Sequence, residues 1–355
     1  MIEIWKRSEL DRLSRAHGLR YSKALGQNFL TDRNVLEKIS EAAGLSPDDH
    51  VIEIGPGFGA LTVFLSQAAG RVTAVEIDGR LLPALREATA GLPNVEIVNE
   101  DFLKFDLPGA ISQGAEGDEA IHGGTTSDGQ CRCARKGKGT GKGKGYKVAG
   151  NLPYNITTPI IAKLYERPRQ GQSASVDGAR EGYGDTADCE QQECSSSVDG
   201  ARRELDAAPE APCPPDLAVL MVQKEVAERL VSPPGKKTYG AISVLVQYYA
   251  EAEILFPVSR EVFVPKPGVD SAVIRLRPRD LSGDCTETAA RMFRLVRAGF
   301  DMRRKTLRNS LARAGFPEEA LLAALDSVGI DPGRRAETLN PREFYALAAA
   351  LPRTR

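Results

Sequence analysis

The segment VIEIGPGFGALT, residues 51–62, joins a short apolar run to three glycines and the start of a helical pattern. The β-branched residues at its start favour a buried strand. Gly55, Gly57 and Gly59 allow a tight turn and let a ligand approach the backbone closely. Their GxGxG spacing differs from the GxGxxG of a pyrophosphate-binding turn, so a purely structural turn is the alternative. The segment predicts a strand, a glycine loop and a helix in succession.

Three further segments resemble the first strand and alternate with helical stretches. Residues 72–77, 95–98 and 146–149 are short, apolar and β-branched, and turn signals bound them. The segments ALTVFLSQAA and GRLLPALREATAGL lie between strands and have helical patterns. Strands that alternate with helices indicate a parallel, doubly wound α/β sheet that is covered on both faces.

The second half of the chain adds strands and then helices. Residues 240–258 and 261–278 predict further strands, and residues 288–350 predict helices with breaks near glycines and prolines. We therefore expect one domain over residues 1–280 and a small C-terminal helical domain over residues 281–355.

Two polar segments interrupt this pattern. Residues 109–145 are rich in Gly and Lys, and residues 168–215 are rich in Pro, Ser, Gly and acidic residues. Neither contains enough large apolar residues to form a core, so we expect both to be disordered insertions in surface loops. The basic run KGKGTGKGKGYK at the end of the first segment could contact RNA phosphates or could be a solvated linker.

The composition is that of a globular protein that can bury a large core. Of the 355 residues, 41% are hydrophobic and 27% are charged, and the formal net charge is −1. This net charge argues neither for nor against a nucleic-acid partner. No apolar run is long enough for a transmembrane helix, and the charged N-terminus lacks the apolar core of a signal peptide. We therefore expect a cytoplasmic monomer without a membrane partner.

The six cysteines do not indicate a metal site. Five of them lie in polar, low-complexity stretches. Cys131 and Cys133 could form half of a site, but no second pair or histidine cluster completes it. We expect reduced, unpaired thiols and no metal.

Two acidic residues follow the second and third predicted strands. Glu76 lies about 20 residues beyond the glycines, where a carboxylate can accept hydrogen bonds from both hydroxyls of a ribose. Asp101 can accept a hydrogen bond from an adenine amino group, with the apolar Phe102 beside the ring. In open α/β folds, ligands bind at the carboxyl ends of the strands. These residues predict a cofactor that contains adenosine, but they do not distinguish NAD from S-adenosylmethionine.

The end of the fourth predicted strand favours S-adenosylmethionine. It continues as NLPYNITTPI, residues 151–160, and contains no His, Lys or Cys that could serve hydride or acyl chemistry. His17, His50 and His122 lie outside every motif, and we interpret them as ordinary surface residues. The tetrapeptide Asn-Leu-Pro-Tyr resembles the catalytic motif of methyltransferases that act on exocyclic amino groups.

Five motifs together resemble the ribosomal RNA adenine dimethyltransferase family, in particular its bacterial small-subunit group. In chain order they are LGQNFL (25–30), EIGPGFGALT (53–62), NLPYNITTPI (151–160), FVPKPGVDSAVIRL (263–276) and RRKTLRNSL (303–311). The resemblance extends over roughly residues 20–108, 146–167 and 216–350 and implies a Rossmann-like class I methyltransferase fold. The two polar segments depart from the family pattern.

The resemblance implies that S-adenosylmethionine is the cofactor and that 16S rRNA in the small ribosomal subunit is the partner. The implied reaction is N6-dimethylation of two adjacent adenosines in the 3′-terminal hairpin, with a role in subunit biogenesis. One alternative is a 23S rRNA adenine methyltransferase of the antibiotic-resistance type. Others are a non-catalytic ribosome assembly factor or a mitochondrial-type transcription factor that kept the fold. A dehydrogenase is disfavoured, because it requires a His or Lys near the fourth strand.

The resemblance also implies which residues form the site. Those expected in catalysis are Asn151, Leu152, Pro153, Tyr154 and Phe263. Those expected to bind the cofactor are Asn28, Leu30, Gly55, Gly57, Glu76, Asp101 and Asn151. The Asn151 side-chain oxygen and the Leu152 carbonyl would accept hydrogen bonds from the adenine amino group and free its lone pair. Pro153 would fix the backbone. Tyr154 and Phe263 would stack on the base, although core packing is the alternative for both rings.

A basic stretch in the predicted C-terminal helices suits contacts with RNA phosphates. The residues expected to bind RNA are Arg294, Arg297, Arg303, Arg304, Lys305 and Arg308. Such a run is also typical of a solvated helix face, so it is the family resemblance that favours RNA binding.

Overall fold

The computed structural model describes residues 3–19, 26–112, 145–154, 156–165 and 214–352. The insertions expected at 109–145 and 168–215 lie almost entirely outside these residues. Residues 109–112, however, are helical, so the predicted boundary of the first insertion is too early.

Nine strands form two sheets in the described part of the chain. They are β1 (Phe29–Leu30), β2 (His50–Ile54), β3 (Arg71–Glu76), β4 (Val95–Asn99), β5 (Tyr146–Asn151), β6 (Leu217–Gln223), β7 (Ala250–Val258), β8 (Phe263–Val264) and β9 (Ser271–Pro278). Seven of them form the central sheet in the order β4-β3-β2-β5-β6-β9-β7. The first five in this order are parallel, and β9 and β7 are antiparallel to their neighbours. This arrangement confirms the predicted doubly wound sheet.

The described helices connect and cover these strands. They are α1 (Arg7–Ala16), α2 (Arg33–Ala42), α3 (Ala60–Ala68), α4 (Leu82–Thr89), α5 (Leu107–Ser112), α6 (Thr157–Tyr165), α7 (Lys224–Leu230), α8 (Ala241–Tyr249), α9 (Thr286–Asp301), α10 (Leu307–Arg313), α11 (Glu318–Ser327) and α12 (Pro341–Ala350). Short 3-10 helices span Arg260–Val262 and Ala336–Thr338. Within the described part, no helix combines the length and the apolar character that crossing a membrane requires.

The central sheet is buried on both faces because alternate residues of its strands enter two separate apolar clusters. Ile52 and Ile54 of β2 pack in one cluster with Ile160 of α6. Val51 of the same strand packs in the other cluster with Leu65 of α3. This two-sided burial is typical of parallel sheets and explains why their strands are nearly continuous apolar runs.

The strand predicted at the start of residues 240–258 is wrong, because Ala241–Tyr249 form α8. The helix lies between two clusters: Val246 packs against the sheet, whereas Val244 and Tyr248 pack against the C-terminal helices. A helix that is apolar on most sides lacks the polar face that gives a helical period, and its β-branched residues imitate a strand. The strand predicted after it is present as β7.

The C-terminal helices form a unit around a core of their own. The predicted boundary at residues 280 and 281 falls between Pro278, the end of β9, and Thr286, the start of α9. The core of this unit nevertheless extends back to Tyr239, whose hydroxyl donates to the carbonyl of Leu339 at 2.9 Å. The helical unit is therefore anchored to the segment that precedes α8, and the division into two domains stays a prediction.

Candidate active site

A pocket lies at the carboxyl ends of the parallel strands, where an open α/β sheet binds ligands. Ten of the residues that were expected to form the site line it. They are Asn28, Leu30, Gly55, Gly57, Glu76, Asp101, Asn151, Leu152, Pro153 and Tyr154. The fold thus brings together residues from three separate motifs with Glu76 and Asp101, which lie outside the motifs.

The glycine loop after β2 requires glycine for two reasons. Gly55, Gly57 and Gly59 all have positive φ angles, of 67°, 60° and 87°, which other residues rarely adopt. At Gly57 a Cβ atom would also lie 2.8 Å from the Cε1 atom of Phe29, which is closer than real contacts allow. The loop therefore packs directly against the N-terminal segment that crosses the pocket.

Glu76 at the end of β3 is buried and held by backbone amides. Its Oε2 accepts from the amide of Gly57 at 3.0 Å, and its Oε1 accepts from the amide of Asp78 at 2.9 Å. Burial raises the pKa of Glu76, and the two amide hydrogen bonds oppose that shift. A carboxylate offers about four lone-pair sites, so the group can accept further hydrogen bonds from a ligand.

Asp101 lies two residues beyond β4. Its Oδ1 accepts from the amide of Leu103 at 2.9 Å, which fixes the side chain at the start of the following turn. Phe102 beside it is buried and stacks on Phe105. The chain beyond the strand therefore presents a fixed carboxylate next to an apolar surface.

Residues 26–31, which we call the strap, cross the pocket and include β1. In β1, Phe29 pairs with Val264 of β8, and the amide of Thr31 donates to the carbonyl of Val262 at 2.8 Å. The ring of Phe29 meets Phe58 of the glycine loop edge-on, with 4.7 Å between ring centroids. These contacts bring Asn28 and Leu30 to the pocket.

Gln27 and Asp78 add a contact that sequence reasoning missed. The Nε2 of Gln27 donates to Oδ2 of Asp78 at 2.7 Å, which ties the strap to the end of β3. Asp78 is only 7% exposed, and Arg80 binds both of its carboxylate oxygens. Hydrogen bonds from Arg80 lower the pKa of Asp78, so the acceptor stays charged. Gln27 lies within the LGQNFL motif, which could have indicated a role in the site, but its partner Asp78 is 51 residues away in the sequence.

Asn151 is the last residue of β5, and its side chain has a defined orientation. Its Nδ2 donates to the carbonyl oxygen of Asn28 at 2.8 Å. Among the described residues no donor contacts its Oδ1, so that oxygen is available as an acceptor. The amide of Leu152 donates to Met221 of β6 at 3.0 Å, which extends the strand pairing one residue into the motif. The two expected acceptors, the Asn151 side-chain oxygen and the Leu152 carbonyl, thus lie at the end of one paired strand.

The two aromatic residues of the expected site have different positions. Tyr154 is half-buried in the pocket wall, and its hydroxyl lies 2.8 Å from Oγ of Ser271. Phe263 is only 2% exposed and packs in the cluster that contains Leu30 and Val273. Because β8 pairs with β1, the Phe263 ring is covered, and its position does not support the expected stacking on a base.

Glu53 is a second buried carboxyl in the pocket wall, and it was not among the site residues expected from the sequence. It is 1% exposed, and burial raises its pKa to about 8. Its Oε2 has no hydrogen-bond partner among the described residues. The sequence feature that could have identified Glu53 is the position of an acidic residue in the middle of the apolar run VIEI.

The two histidines in the described part of the chain, His17 and His50, do not line the pocket. His17 contacts Oε2 of Glu87 at 2.8 Å, and His50 contacts the hydroxyl of Thr73 at 2.9 Å. His50 is half-buried rather than the expected exposed surface residue, and this burial lowers its pKa to about 4. His122 lies outside the described residues.

The six cations expected to bind RNA are all exposed, but two of them have partners within the protein. The Nη2 of Arg303 donates to the carbonyls of Lys237 and Tyr239 at 3.0 and 2.8 Å and to Glu337 at 3.1 Å. Arg308 forms an ion pair with Glu318. Within the described part of the chain no ion pair involves the other four, which are Arg294, Arg297, Arg304 and Lys305.

The chain is similar to known proteins over most of its length. A family model described as ribosomal RNA adenine dimethylase matches residues 18–352. Ribosomal RNA small subunit methyltransferase A of Geobacillus thermodenitrificans is 40% identical over 343 residues, which cover 94% of this chain and 92% of the relative. The protein of that name from Pelotomaculum thermopropionicum is 40% identical over 354 residues, which cover 98% and 97%.

Two solved structures have the same fold. The 23S rRNA methyltransferase ErmE has a TM-score of 0.55 and 25% identity and covers 91% of this chain and 99% of its own. A dimethyladenosine transferase from Plasmodium falciparum has a TM-score of 0.60 and 22% identity, with 90% and 95% coverage. The second match shows the fold alone.

Proposed function

The chain belongs to the ribosomal RNA adenine dimethylase family, and we propose that it methylates the N6 atoms of two adjacent adenosines in the 3′-terminal hairpin of 16S rRNA. The family predicted from the five motifs is thereby confirmed. The observation that carries the proposal is the hydrogen bond from Nδ2 of Asn151 to the carbonyl of Asn28. It uses the donor end of the amide and leaves the acceptor end for an amino group of the substrate.

The residues of the pocket fit S-adenosylmethionine. Glu76 has lone pairs left for ribose hydroxyls, and Asp101 offers a carboxylate for the adenine amino group. Ile77, between Glu76 and Asp78, is 49% exposed at the pocket, which is unusual for a large apolar residue and suits an adenine ring. When bound, S-adenosylmethionine would supply an electrophilic methyl group.

The protein's own part in the reaction is to prepare and align the amino nitrogen. Its lone pair is delocalised into the adenine ring, so the nitrogen is a weak nucleophile. Acceptors at Asn151 Oδ1 and the Leu152 carbonyl would bind its two hydrogens and favour a tetrahedral nitrogen. Alignment of two reactants can contribute about 7–11 kcal/mol. A strong general base is not required for this step.

The substrate base must leave its stack to reach a pocket of this kind. Tyr154 in the pocket wall would stack on it, which is worth roughly 1–3 kcal/mol per base. Arg294, Arg297, Arg304 and Lys305, without ion pairs in the described structure, would contact RNA phosphates. We propose a role in small-subunit biogenesis in the cytoplasm, with the protein acting as a monomer.

The 16S substrate is favoured over a 23S substrate by the strength of the similarities. Proteins named ribosomal RNA small subunit methyltransferase A reach 40% identity, whereas ErmE reaches 25%. A non-catalytic assembly factor would not need the oriented amide of Asn151.

The test is methyl transfer from labelled S-adenosylmethionine to unmethylated small ribosomal subunits, with the modified nucleotides mapped by mass spectrometry. We expect label on two adjacent adenosines near the 3′ end of 16S rRNA. Label on 23S rRNA instead would identify the resistance-type activity. Tight RNA binding without label on either RNA would identify an assembly factor and overturn the proposal.

A further inference from the structure

Tyr154 is held at its backbone and at its hydroxyl group. The residue that holds the hydroxyl lies outside the NLPY motif. Its backbone directly follows Pro153, whose ring restricts φ. Its hydroxyl lies 2.8 Å from Oγ of Ser271, the first residue of β9. The phenol oxygen lies on the long axis of the ring, so a hydrogen bond at this oxygen fixes the direction of that axis and with it the position of the ring.

The anchor is a long way from Tyr154 in the sheet as well as in the sequence. β9 is the second neighbour of β5, with β6 between them. Neighbouring strands are about 4.8 Å apart, so the phenol reaches across the end of β6 to meet Ser271. The ring therefore lies along the carboxyl edge of the sheet, beside Asn151 and Leu152.

Ser271 is a rigid anchor because strands enclose it on both sides. It is 0% exposed and pairs in register with Gln223 of β6 and Val258 of β7. The preceding residue, Asp270, accepts from the amide of Lys224 through its carbonyl at 3.0 Å and from the amide of Arg260 through Oδ1 at 3.1 Å. The start of β9 is thus fixed by two neighbouring segments, residues 223–224 and residues 258–260.

We propose that Ser271 is a positioning residue for methyl transfer: its hydroxyl holds the long axis of the Tyr154 ring in the position where the target base stacks. This inference rests on the proposed function. Ser271 itself does not line the pocket and acts only through Tyr154. A buried hydroxyl at this position would otherwise require a hydrogen-bond partner of its own, and the phenol is that partner.

The test compares Ser271→Ala, Tyr154→Phe and the double variant. Each single change removes the same hydrogen bond, and Tyr154→Phe keeps the ring. A hydrogen bond contributes about 0.5–1.5 kcal/mol, so each single variant should lower kcat/KM for small subunits by roughly two- to tenfold. The double variant should be no slower than either single variant, and the cofactor Kd should not change.

Ser310→Ala in α10 is the matched control, because it also removes a buried serine hydroxyl, whose Oγ donates to Leu307. It should leave kcat/KM unchanged. Wild-type kinetics of both single variants would overturn the inference. So would a slow Ser271→Ala beside a normal Tyr154→Phe, or single effects that multiply in the double variant.

Misfolding of a variant and failure of the proposed function can each be distinguished from a failure of this inference. If Ser271→Ala does not fold, Tyr154→Phe still tests the hydrogen bond, because it leaves the core serine in place. A wild-type protein that does not methylate adenosine would refute the proposed function, whereas an active wild type with unaffected variants would refute only the role of Ser271.

Discussion

The pocket at the sheet edge and the cationic surface of the C-terminal unit differ in how their functional side chains are held. In the pocket, Asn151 and Glu76 each have hydrogen bonds that fix their direction, and Glu76 is 5% exposed. In the C-terminal unit, Arg304 and Lys305 are exposed, and no ion pair involves them in the described part of the chain. Function in the pocket should therefore depend on geometry, whereas function on the surface should depend on the amount of charge.

The largest effect is expected from Asn151→Ala. The change removes the acceptor that would bind the adenine amino group, and it frees the carbonyl of Asn28 from its partner. Removal of one preorganised hydrogen-bonding group from an active site lowers kcat by about 10²–10³. We expect a loss of methyl transfer of at least about 100-fold, measured with labelled cofactor and small subunits.

The control for this variant is Asn309→Ala, an exposed asparagine in α10. Thermal unfolding should be similar for both variants and the wild type. Turnover by Asn151→Ala at the wild-type rate would refute the proposed mechanism.

The two regions also differ in how much of them the sequence predicts. The strand ends could be predicted because a parallel sheet brings the carboxyl ends of its strands to one edge, so the positions of Glu76 and Asn151 follow from the strand assignments. The strap does not follow from the strand assignments, because β1 pairs with β8 more than 200 residues away. Asn28 and Leu30 were expected at the pocket from the family resemblance alone. That long-range pairing also covers Phe263, for which the sequence left stacking on a base and core packing as alternatives.

On the C-terminal surface the sequence predicts charge but does not identify its partners. Arg303 and Arg304 are neighbours in one basic run, yet only Arg303 lies against the carbonyls of Lys237 and Tyr239. That contact depends on how the segment before α8 packs, and α8 itself was mistaken for a strand. A local pattern therefore cannot distinguish a structural arginine from one that is free to bind phosphate.

The second largest effect is expected from Glu76→Ala, which tests whether the pocket depends on a fixed carboxylate. Hydrogen bonds to a charged group contribute about 1.5–3 kcal/mol, so the Kd of S-adenosylmethionine should rise by roughly ten- to a hundredfold in calorimetric titration. Glu96→Ala is the control, because Glu96 lies on β4 and forms an exposed pair with Arg71. An unchanged Kd for Glu76→Ala would remove this carboxylate from the cofactor site.

A third prediction concerns stability and uses the buried carboxyl of Glu53. Its folded-state pKa of about 8 lies above the ordinary value of 4.5, so the native protein keeps a proton that the unfolded chain releases between these values. The free energy of unfolding should therefore fall as the pH rises through this window, by at most about 1.4 kcal/mol per pH unit. Glu53→Gln removes this titration.

Chemical denaturation at about pH 5 and about pH 8 measures the effect. Relative to the wild type, Glu53→Gln should be more stable at the higher pH than at the lower. Glu319→Gln, which removes an exposed carboxyl from α11, is the control. A difference between Glu53→Gln and the wild type that is independent of pH would show that Glu53 is ionised in the folded protein.

The smallest effects are expected on the cationic surface. Arg304→Gln tests an arginine that would bind RNA phosphate, and Arg303→Gln tests an arginine that has partners within the protein. Arg304→Gln should weaken RNA binding by a few-fold and make the slope of log K against log salt shallower by about 0.7–0.9, because one phosphate contact is lost. Arg303→Gln should instead lower the free energy of unfolding by no more than about 1 kcal/mol. Its hydrogen bonds link the turn after α9 to the segment before α8, but the side chain is 43% exposed, so water offsets much of the loss. If Arg304→Gln leaves the salt slope unchanged while Arg303→Gln alters it, the arginine with partners would be the one that contacts RNA, and the distinction between the two regions would not hold at this surface.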